Sequence, residues 1–394
     1  SDPAWVRFTR GVARSILFDI GAIAALQEVR IRLLKEKETA VRLPNNVSFS
    51  ASVNGVDFEN VALIDRAIPE TDALNNVRVR VEACAICGMD YHIYHGKFPC
   101  TPPFIMGHEF VGIVESIQGP SAGLSVGDRV TAQPHLYACG HCSACNMGLT
   151  QFCSHTRSLG IHRDGAMTSY VILPEKYLHR MPAHVPAKLA AITEPFSMVL
   201  GNFGIPIEQE KMHTAVVIGA GQVGLLGVAA AKACGAKQVI LCGKTHDYDL
   251  RFPIAEQIGA DVLLNSQKDD IVQRVVSLSD NTGADIVLEA SGSESGINAA
   301  INMLKPGGIL CAMGGTRRDS IAVNWDICLR KALRVLFHMK SNYEYMDRAI
   351  NLLAAPYTDL SPLITGEFSL NDWQSAFDAI ASGHSVKNVL YIQH

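Results

Sequence analysis

Short apolar and β-branched segments alternate with turn residues over positions 47–132. Strands are predicted at 77–81, 110–117 and 129–131, because these segments are separated by stretches rich in Gly, Pro and Asn. A further strand is predicted at 168–173. Many short strands with frequent turns are typical of a β-rich, barrel-like domain.

From about residue 201 the pattern changes to apolar strands that alternate with helical segments. Alternation of this length predicts a parallel sheet with crossover helices, which is an α/β fold. The predicted strands are 215–218, 238–242, 262–265, 285–289 and 309–313. Beyond about residue 339 the chain returns to a helix and then a strand at 388–392, which we interpret as completing the first domain.

The segment 11–37 has apolar residues at mixed helical spacing and ends in alternating Lys and Glu, which predicts one helix. We therefore expect an N-terminal extension over 1–45, a β-rich domain formed by 46–200 and 340–394, and a parallel-sheet domain over 201–339. A chain of 394 residues exceeds what one hydrophobic core usually serves, which agrees with two domains.

The composition argues against several classes of protein. Hydrophobic residues make up 48% and charged residues 18%, as in a globular enzyme. The net charge of −4 and the lack of a basic block argue against a nucleic-acid partner. No run of 18 apolar residues predicts a membrane span. Eleven cysteines, an odd number, indicate a reduced protein, and we expect a cytoplasmic one.

Four cysteines lie within fifteen residues, in a C-x2-C-x2-C-x7-C pattern formed by Cys139, Cys142, Cys145 and Cys153. Closely spaced thiolates on a turn-rich loop favour one zinc ion of the structural type. Disulfides are the first alternative, but they belong to oxidising compartments and small scaffolds. An iron–sulfur cluster is the second. In that run the fourth cysteine follows after three residues and precedes a proline, whereas here it follows after seven and precedes Ser154.

A G-x-G-x-x-G pattern, formed by Gly219, Gly221 and Gly224, joins the end of an apolar strand to an Ala-rich helix. Glycines permit a tight turn and a close approach of the backbone. The free N–H groups at the start of the helix, where Gln222 and Val223 lie, attract a pyrophosphate. The pattern in this context predicts a dinucleotide site.

The residues after the second strand of this domain bear on the choice between NAD and NADP. A carboxylate about twenty positions after the glycine motif normally takes the ribose hydroxyls of NAD, yet this strand ends in Gly243, Lys244 and Thr245. Gly243 leaves room, and Lys244 and Thr245 could meet a 2′-phosphate, which favours NADP. Asp247 or Asp249 could fold back and restore NAD binding, so both cofactors stay open.

Two further motifs precede the cysteine loop, C-G-M-D-Y-H from Cys87 and G-H-E-F-V-G-I-V from Gly107. Together with the four cysteines and the glycine turn, they follow the order of motifs in the zinc-dependent medium-chain alcohol and polyol dehydrogenases. Over residues 47–394 the chain resembles this family, in particular its sorbitol and threonine dehydrogenase-like members. The resemblance implies a GroES-like catalytic domain and a Rossmann domain with a doubly wound parallel sheet.

The resemblance also implies metal ligands. Cys87 and His108 match two ligands of a catalytic zinc, and Glu194 stands where sorbitol and threonine dehydrogenase-like members have a glutamate ligand. Glu109 matches the glutamate that enters the zinc shell in some relatives. With the cysteine loop, the family pattern implies two zinc ions per chain, one catalytic and one structural.

Asp90 and His92 match residues that support the chemistry in this family. Asp90 corresponds to the carboxylate that orients the ligand histidine, and His92 to the outer end of a proton relay. Met89 departs from the pattern, because the family usually has Ser or Thr there and a thioether cannot pass on the substrate's proton. The relay then runs through water, Glu109 or Thr193, or the chemistry has changed.

The first hypothesis is therefore a zinc-dependent oxidoreductase that transfers hydride between an alcohol, with secondary alcohols and polyols favoured, and NAD(P). The alternative is a catalytically lapsed protein that keeps zinc and a dinucleotide for assembly or sensing, and only Met89 supports it. Intact candidate ligands at Cys87, His108 and Glu194 argue against this alternative. By resemblance, a homodimer or homotetramer is expected.

Overall fold

The computed structural model describes residues 61–394 except 75, 99, 101–102, 204–211 and 339. The predicted N-terminal extension, with its helix, lies outside the described residues. Within the described ranges, every helix is too short or too polar to traverse a lipid bilayer.

The strands of the described residues form two large sheets and one two-stranded ribbon. They are β1 (Val77–Ala85), β2 (Glu109–Ile117), β3 (Arg129–Ala132), β4 (His135–Leu136), β5 (Arg157–Ser158), β6 (Tyr170–Leu173), β7 (Leu178–Arg180), β8 (Thr214–Ile218), β9 (Gln238–Gly243), β10 (Val262–Asn265), β11 (Ala284–Glu289), β12 (Leu304–Ala312), β13 (Arg334–Phe337), β14 (Ile364–Ser369) and β15 (Lys387–Tyr391). The predicted strands are all present, and β12 is longer than predicted.

Most of the long helices belong to the second half of the chain. The α-helices of the described residues are α1 (Gly88–Tyr94), α2 (Ser143–Asn146), α3 (Ala187–Ala191), α4 (Thr193–Phe203), α5 (Gln222–Ala233), α6 (Arg251–Gln257), α7 (Ile271–Leu278), α8 (Glu294–Met303), α9 (Trp325–Arg330), α10 (Tyr343–Leu353) and α11 (Trp373–Ala381).

The first sheet has the order β14-β15-β1-β2-β3-β7, and β6 pairs with the first half of β1. In β1, Val77, Val79 and Val81 are fully buried and the residues between them are half-buried. This is the period of two that a strand with one face on the core requires. The strand pairs are antiparallel except β14 with β15. The late strand β15 therefore lies directly beside the early strand β1.

The second sheet is parallel throughout, in the order β10-β9-β8-β11-β12-β13. β8 and most of β9 and β11 are buried on both faces, because helices cover both sides of the sheet. The strand order reverses between β8 and β11, which opens a crevice at the carboxyl ends of these strands. The predicted α/β architecture, a β-rich domain beside a doubly wound parallel sheet, is confirmed.

Helix α4 connects the two sheets. Phe196, Val199 and Leu200 on this helix are fully buried in a core cluster that also contains residues of β8 and α10. The helix crosses the predicted domain boundary at 200/201, and that boundary and the one at 339/340 stay predictions. Because the first turn of α4 carries Glu194, the packing of this helix fixes where the carboxylate lies.

Candidate active site and metal centres

Asp90 ties together the two segments that carry the predicted zinc ligands. It is fully buried in the first turn of α1, and its Oδ2 accepts a hydrogen bond from the N–H of Cys87 at 2.9 Å. Its Oδ1 accepts from the N–H of Gly107 at 3.3 Å and lies 3.9 Å from Nδ1 of His108. One carboxylate therefore positions both the thiol and the imidazole.

Cys87, His108 and Glu109 offer ligand atoms that all lie within 4.8 Å of one another. A thiol, an imidazole and a carboxylate are the donor set that zinc accepts, and three protein ligands leave a position open. Glu109 is fully buried, yet its Oε1 has no hydrogen-bond partner among the described residues. A buried oxygen without a partner is costly, so the donor set and this oxygen both fit a bound cation.

The electrostatics of this cluster reflect how close its charges are. Burial opposes a charge on His108, but the neighbouring Cys87 and Asp90 outweigh it and raise the pKa of this imidazole well above its usual value. Burial raises the pKa of the Cys87 thiol, Glu109 adds to the rise, and His108 acts against it. The cluster therefore favours a net positive partner at its centre.

Glu194 lies near this cluster but is not one of the three mutually close residues. It is buried, and burial raises the pKa of its carboxyl to about 7, while the charge of His108 acts in the opposite direction. Among the described residues, the structure therefore groups Glu109, rather than Glu194, with Cys87 and His108.

Lys387 is a partner of the site that the sequence did not reveal. Its Nζ forms an ion pair with Oε2 of Glu109 and donates to the carbonyl of Ile86 at 3.0 Å. Both charged side chains are almost completely buried, although 278 residues separate them. A lysine at the start of the apolar strand β15 was the available signal, because a charge in a buried strand needs a partner.

The four cysteines of the loop also come together. The Sγ atoms of Cys142 and Cys145 are 3.5 Å apart, and those of Cys139 and Cys145 are 4.0 Å apart. Four thiolates at about 2.3 Å from a tetrahedral zinc would be separated by ~3.8 Å, so the two sulfur–sulfur distances bracket the expected value. All four Sγ atoms lie within 4.8 Å of one another.

Cys153 is prepared to act as a thiolate. The backbone N–H groups of Cys139 and His155 each donate to its Sγ at 3.4 Å. These hydrogen bonds, that of Cys139 first, lower the pKa of the Cys153 thiol to about 5. Because zinc binds the thiolate, the loop backbone favours the metal-binding form of this residue.

The glycine turn has the geometry that a dinucleotide requires. Gly219 has a φ of +103°, which side-chain-bearing residues rarely adopt. A Cβ on Gly224 would lie 1.8 Å from the carbonyl oxygen of Gly219, whereas one on Gly221 would meet no atom within 4 Å. Gly221 immediately precedes α5, whose first residues are Gln222 and Val223. The turn is therefore tight on its inner side and open in front of the helix.

A cavity of about 770 Å³ extends from this turn along the ends of β11 and β12. Val223, Ser291 and Arg317 are among the residues that line it. The carboxylate of Glu289, buried at the end of β11, accepts hydrogen bonds from the N–H groups of Ser291 at 2.9 Å and Gly292 at 3.1 Å. This second residue that sequence reasoning missed holds one wall of the cavity in place.

At the end of β9, Lys244 is exposed and Asp247 is buried. The Asp247 carboxylate accepts from the N–H of Lys244 at 2.7 Å and pairs with Arg251 at 3.1 Å. Asp249 is exposed. Both carboxylate oxygens of Asp247 therefore already have partners within the protein.

His92, on α1, meets the wall of the cavity directly. Its Nε2 lies 2.5 Å from Nη2 of Arg317, which comes from the loop after β12. Its Nδ1 is buried and has no hydrogen-bond partner among the described residues. The contact brings the helix that begins after Cys87 against the cavity that starts at the glycine turn.

Comparisons with known proteins agree with this geometry. The alcohol dehydrogenase GroES-like domain matches residues 73–183, and the zinc-binding dehydrogenase family matches residues 223–355. A sorbitol dehydrogenase of Halalkalibacterium halodurans is 32% identical, over 81% of this chain and 92% of its own length. An L-threonine 3-dehydrogenase of Shewanella frigidimarina is also 32% identical, over 84% of this chain and 96% of its own length.

Two solved structures are similar over most of this chain. A zinc-binding dehydrogenase of Sinorhizobium meliloti 1021 bound to NADP has a TM-score of 0.77 and 29% identity, over 84% of this chain and 97% of that chain. An Escherichia coli CFT073 protein described as a short chain alcohol dehydrogenase, complexed with NADH, has a TM-score of 0.74 and 26% identity. The match covers 85% of this chain and 96% of that chain. This chain belongs to the zinc-dependent alcohol dehydrogenase family and is an oxidoreductase. The predicted family and fold class are confirmed.

The variants Gly224→Ala and Gly221→Ala should distinguish the role of the turn in packing from its role in binding a dinucleotide. Gly224→Ala places a Cβ against backbone, so we expect a loss of about 1–3 kcal/mol in unfolding free energy without any ligand. Gly221→Ala should leave that stability nearly unchanged but weaken dinucleotide binding. Thermal unfolding and a fluorescence titration with NADP+ and NAD+ measure the two effects. Equal stability of the two variants would contradict the close approach at Gly224.

Proposed function

We propose that this dehydrogenase transfers hydride between a secondary alcohol or polyol and a nicotinamide dinucleotide. The contact between His92 and Arg317 carries the proposal, because it joins the Cys87 helix to the cavity at the glycine turn. The relatives named for sorbitol and L-threonine support an alcohol substrate. No finding supports the catalytically lapsed alternative.

The proposed catalytic zinc would be held by Cys87, His108 and a carboxylate. Glu109 is favoured as that carboxylate, since its Oε1 is buried without a partner beside the other two donors. Glu194 remains the second candidate and lies in the same buried region. When bound, zinc supplies a Lewis acid for the alcohol oxygen, and the nicotinamide supplies the hydride acceptor.

The second proposed zinc would be held by the cysteine loop, giving two ions per chain. The sulfur separations and the N–H groups directed at Cys153 support four thiolate ligands. A site with four protein ligands has no position for substrate, so its role is structural. All eleven cysteines are free thiols, which fits the reducing cytoplasm that we propose as the location.

The proton of the alcohol needs a route that avoids Met89. The Met89 thioether has no proton to donate, and the hydroxyl of Thr193 donates to the carbonyl of Ala190 at 2.7 Å. We therefore favour water between the substrate and His92 over a path through Thr193. His92 would then release the proton to solvent, since this side chain is only partly buried.

NADP is the dinucleotide that we favour. The exposed Lys244 follows Gly243 at the end of β9 and offers a positive charge to a 2′-phosphate. Asp247, the nearest acid that could take the ribose hydroxyls of NAD, is buried and already paired with Arg251. One structural relative is bound to NADP and another is complexed with NADH, so the choice rests on these local contacts.

The edge of the second sheet supports a homodimer. β13 is the last strand of that sheet, and Phe337 on it is 81% exposed. Trp325 and Leu329 on the preceding helix α9 are each 72% exposed. An unpaired strand edge beside large exposed apolar side chains favours pairing with a second copy of the chain. A homotetramer would need a further contact.

Cys87→Ser tests the proposed chemistry. We expect loss of alcohol oxidation and a fall from two zinc ions per chain to one, while the dinucleotide still binds. Cys142→Ser should also lower the zinc count by one, with a loss of stability. Cys328→Ser, outside both clusters, is the control and should keep both ions. Elemental analysis and a screen of secondary alcohols and polyols give the readouts. Full turnover in Cys87→Ser, or one zinc in the unchanged protein, would contradict the proposal.

Lys244→Ala tests the choice of dinucleotide. Loss of a charge-assisted hydrogen bond to a phosphate costs ~1.5–3 kcal/mol, so the KM for NADP+ should rise at least tenfold and that for NAD+ should stay the same. Lys237→Ala, an exposed lysine just before β9, is the matched control. An equal change for both dinucleotides, or a preference of the unchanged protein for NAD+, would contradict the assignment.

Phe337→Asp tests the edge pairing. A buried unpaired carboxylate at the centre of a dimer contact opposes association, so we expect a shift to monomers in size-exclusion chromatography with light scattering. Tyr357→Asp, which is 79% exposed on another part of the surface, is the control. A monomeric unchanged protein, or a Phe337→Asp protein of unchanged mass, would contradict a dimer through β13.

A further inference from the structure

Arg317 crosses the cleft between the two domains. It follows β12 in a loop of the cofactor domain, lines the dinucleotide cavity, and has a φ of +53°, which is uncommon for a residue with a side chain. Its guanidinium lies against Nε2 of His92 on the catalytic domain at 2.5 Å. The neighbouring Arg318 points elsewhere and pairs with Glu294 at 3.4 Å.

This contact defines the proton positions on His92. A guanidinium has only donors, so Nε2 of His92 must be the acceptor. A neutral imidazole carries its single proton on the other nitrogen, which is Nδ1. The contact therefore keeps His92 neutral, with a proton on the buried nitrogen that has no partner among the described residues.

This arrangement is the wrong one for a residue that passes protons outward. To take a proton from the substrate side, the buried nitrogen must offer a lone pair, and the outer nitrogen must carry the proton that is released. With Arg317 in contact, Nδ1 is already protonated and Nε2 is covered. While Arg317 occupies Nε2, His92 cannot receive a proton from the substrate side.

We infer that Arg317 is a cofactor-responsive latch that blocks His92 until a dinucleotide enters the cavity. The inference rests on the proposed function for the role of His92, but the latch itself concerns only the chain's own residues. A guanidinium binds phosphate oxygens in preference to a neutral imidazole, because the former bonds are charge-assisted and bidentate. The dinucleotide phosphates therefore compete for Arg317 and release His92 when they bind.

The surrounding positive charges also favour the neutral form of His92. Burial lowers the pKa of His92, and the positive charges of Arg317, Lys97 and His95 lower it further. Without Arg317 this pKa should rise, because a positive neighbour and part of the burial are lost. The neutral form of His92 would then be lost at a higher pH in an Arg317 variant than in the unchanged protein.

Nitrogen-15 NMR of the histidine rings tests the latch without any turnover, and His92→Gln assigns the signal. We expect the Nδ1–H tautomer in the ligand-free protein and the Nε2–H tautomer, with a raised pKa, in Arg317→Ala. Arg318→Ala, a matched arginine in the same loop, should behave like the unchanged protein. Addition of NADP+, and in parallel NAD+, should convert the unchanged protein to the Nε2–H tautomer.

Three outcomes would overturn the latch. The first is an Nε2–H tautomer of His92 in the unchanged protein before dinucleotide is added. The second is a His92 tautomer and pKa in Arg317→Ala that are identical to those of the unchanged protein. The third is a His92 tautomer that saturating dinucleotide leaves unchanged. Failure of the proposed function is seen separately, as a lack of alcohol oxidation in a protein whose His92 still responds to Arg317 and to the dinucleotide.

Discussion

The buried carboxylate of Asp90 is the constraint on which the rest of the site depends. It accepts hydrogen bonds from the backbone on both sides of the first metal cluster, at Cys87 and Gly107. A buried charge without partners is costly, so these bonds and the nearby His108 allow Asp90 to remain inside the protein. The same bonds set the start of α1 and β2, and with them the separation of the thiol, the imidazole and the Glu109 carboxylate. The geometry of this donor cluster is therefore a property of the backbone as much as of the side chains.

The two domains divide the chemistry between them, and a shared hydrophobic core connects the halves. The β-rich sheet holds the donor cluster and the parallel sheet holds the glycine turn, while α4 packs into the shared core. On the cleft side, the contact between Arg317 and His92 links the cavity wall to α1. A polar contact at a cleft is far easier to break than a packed core, so the cleft side is where the two halves can respond to a ligand while α4 stays fixed.

The parts of the site that lie within one motif were predictable from the sequence. The spacing of the four cysteines and the glycine turn each place their residues on a single short stretch, and the local geometry follows. The choice between Glu109 and Glu194 was not settled by motifs, because it depends on how α4 packs against β2. Lys387 was missed, and the contact of Arg317 with His92 was not foreseen, for the same reason: the partners lie 278 and 225 residues away, and only the sheet order and the closure of the cleft bring them together.

The ion pair between Glu109 and Lys387 also bears on how the protein is made. β15, which carries the lysine, is synthesised after β1, β2 and the whole of the cofactor domain, yet it is inserted between β14 and β1. Until then the first sheet is incomplete and the glutamate has no counter-charge. During synthesis the cofactor domain is available to fold first. The first sheet of the catalytic domain can be completed only when its C-terminal strands, β14 and β15, have been made. The buried ion pair beside the donor cluster is therefore completed only after β15 has been synthesised.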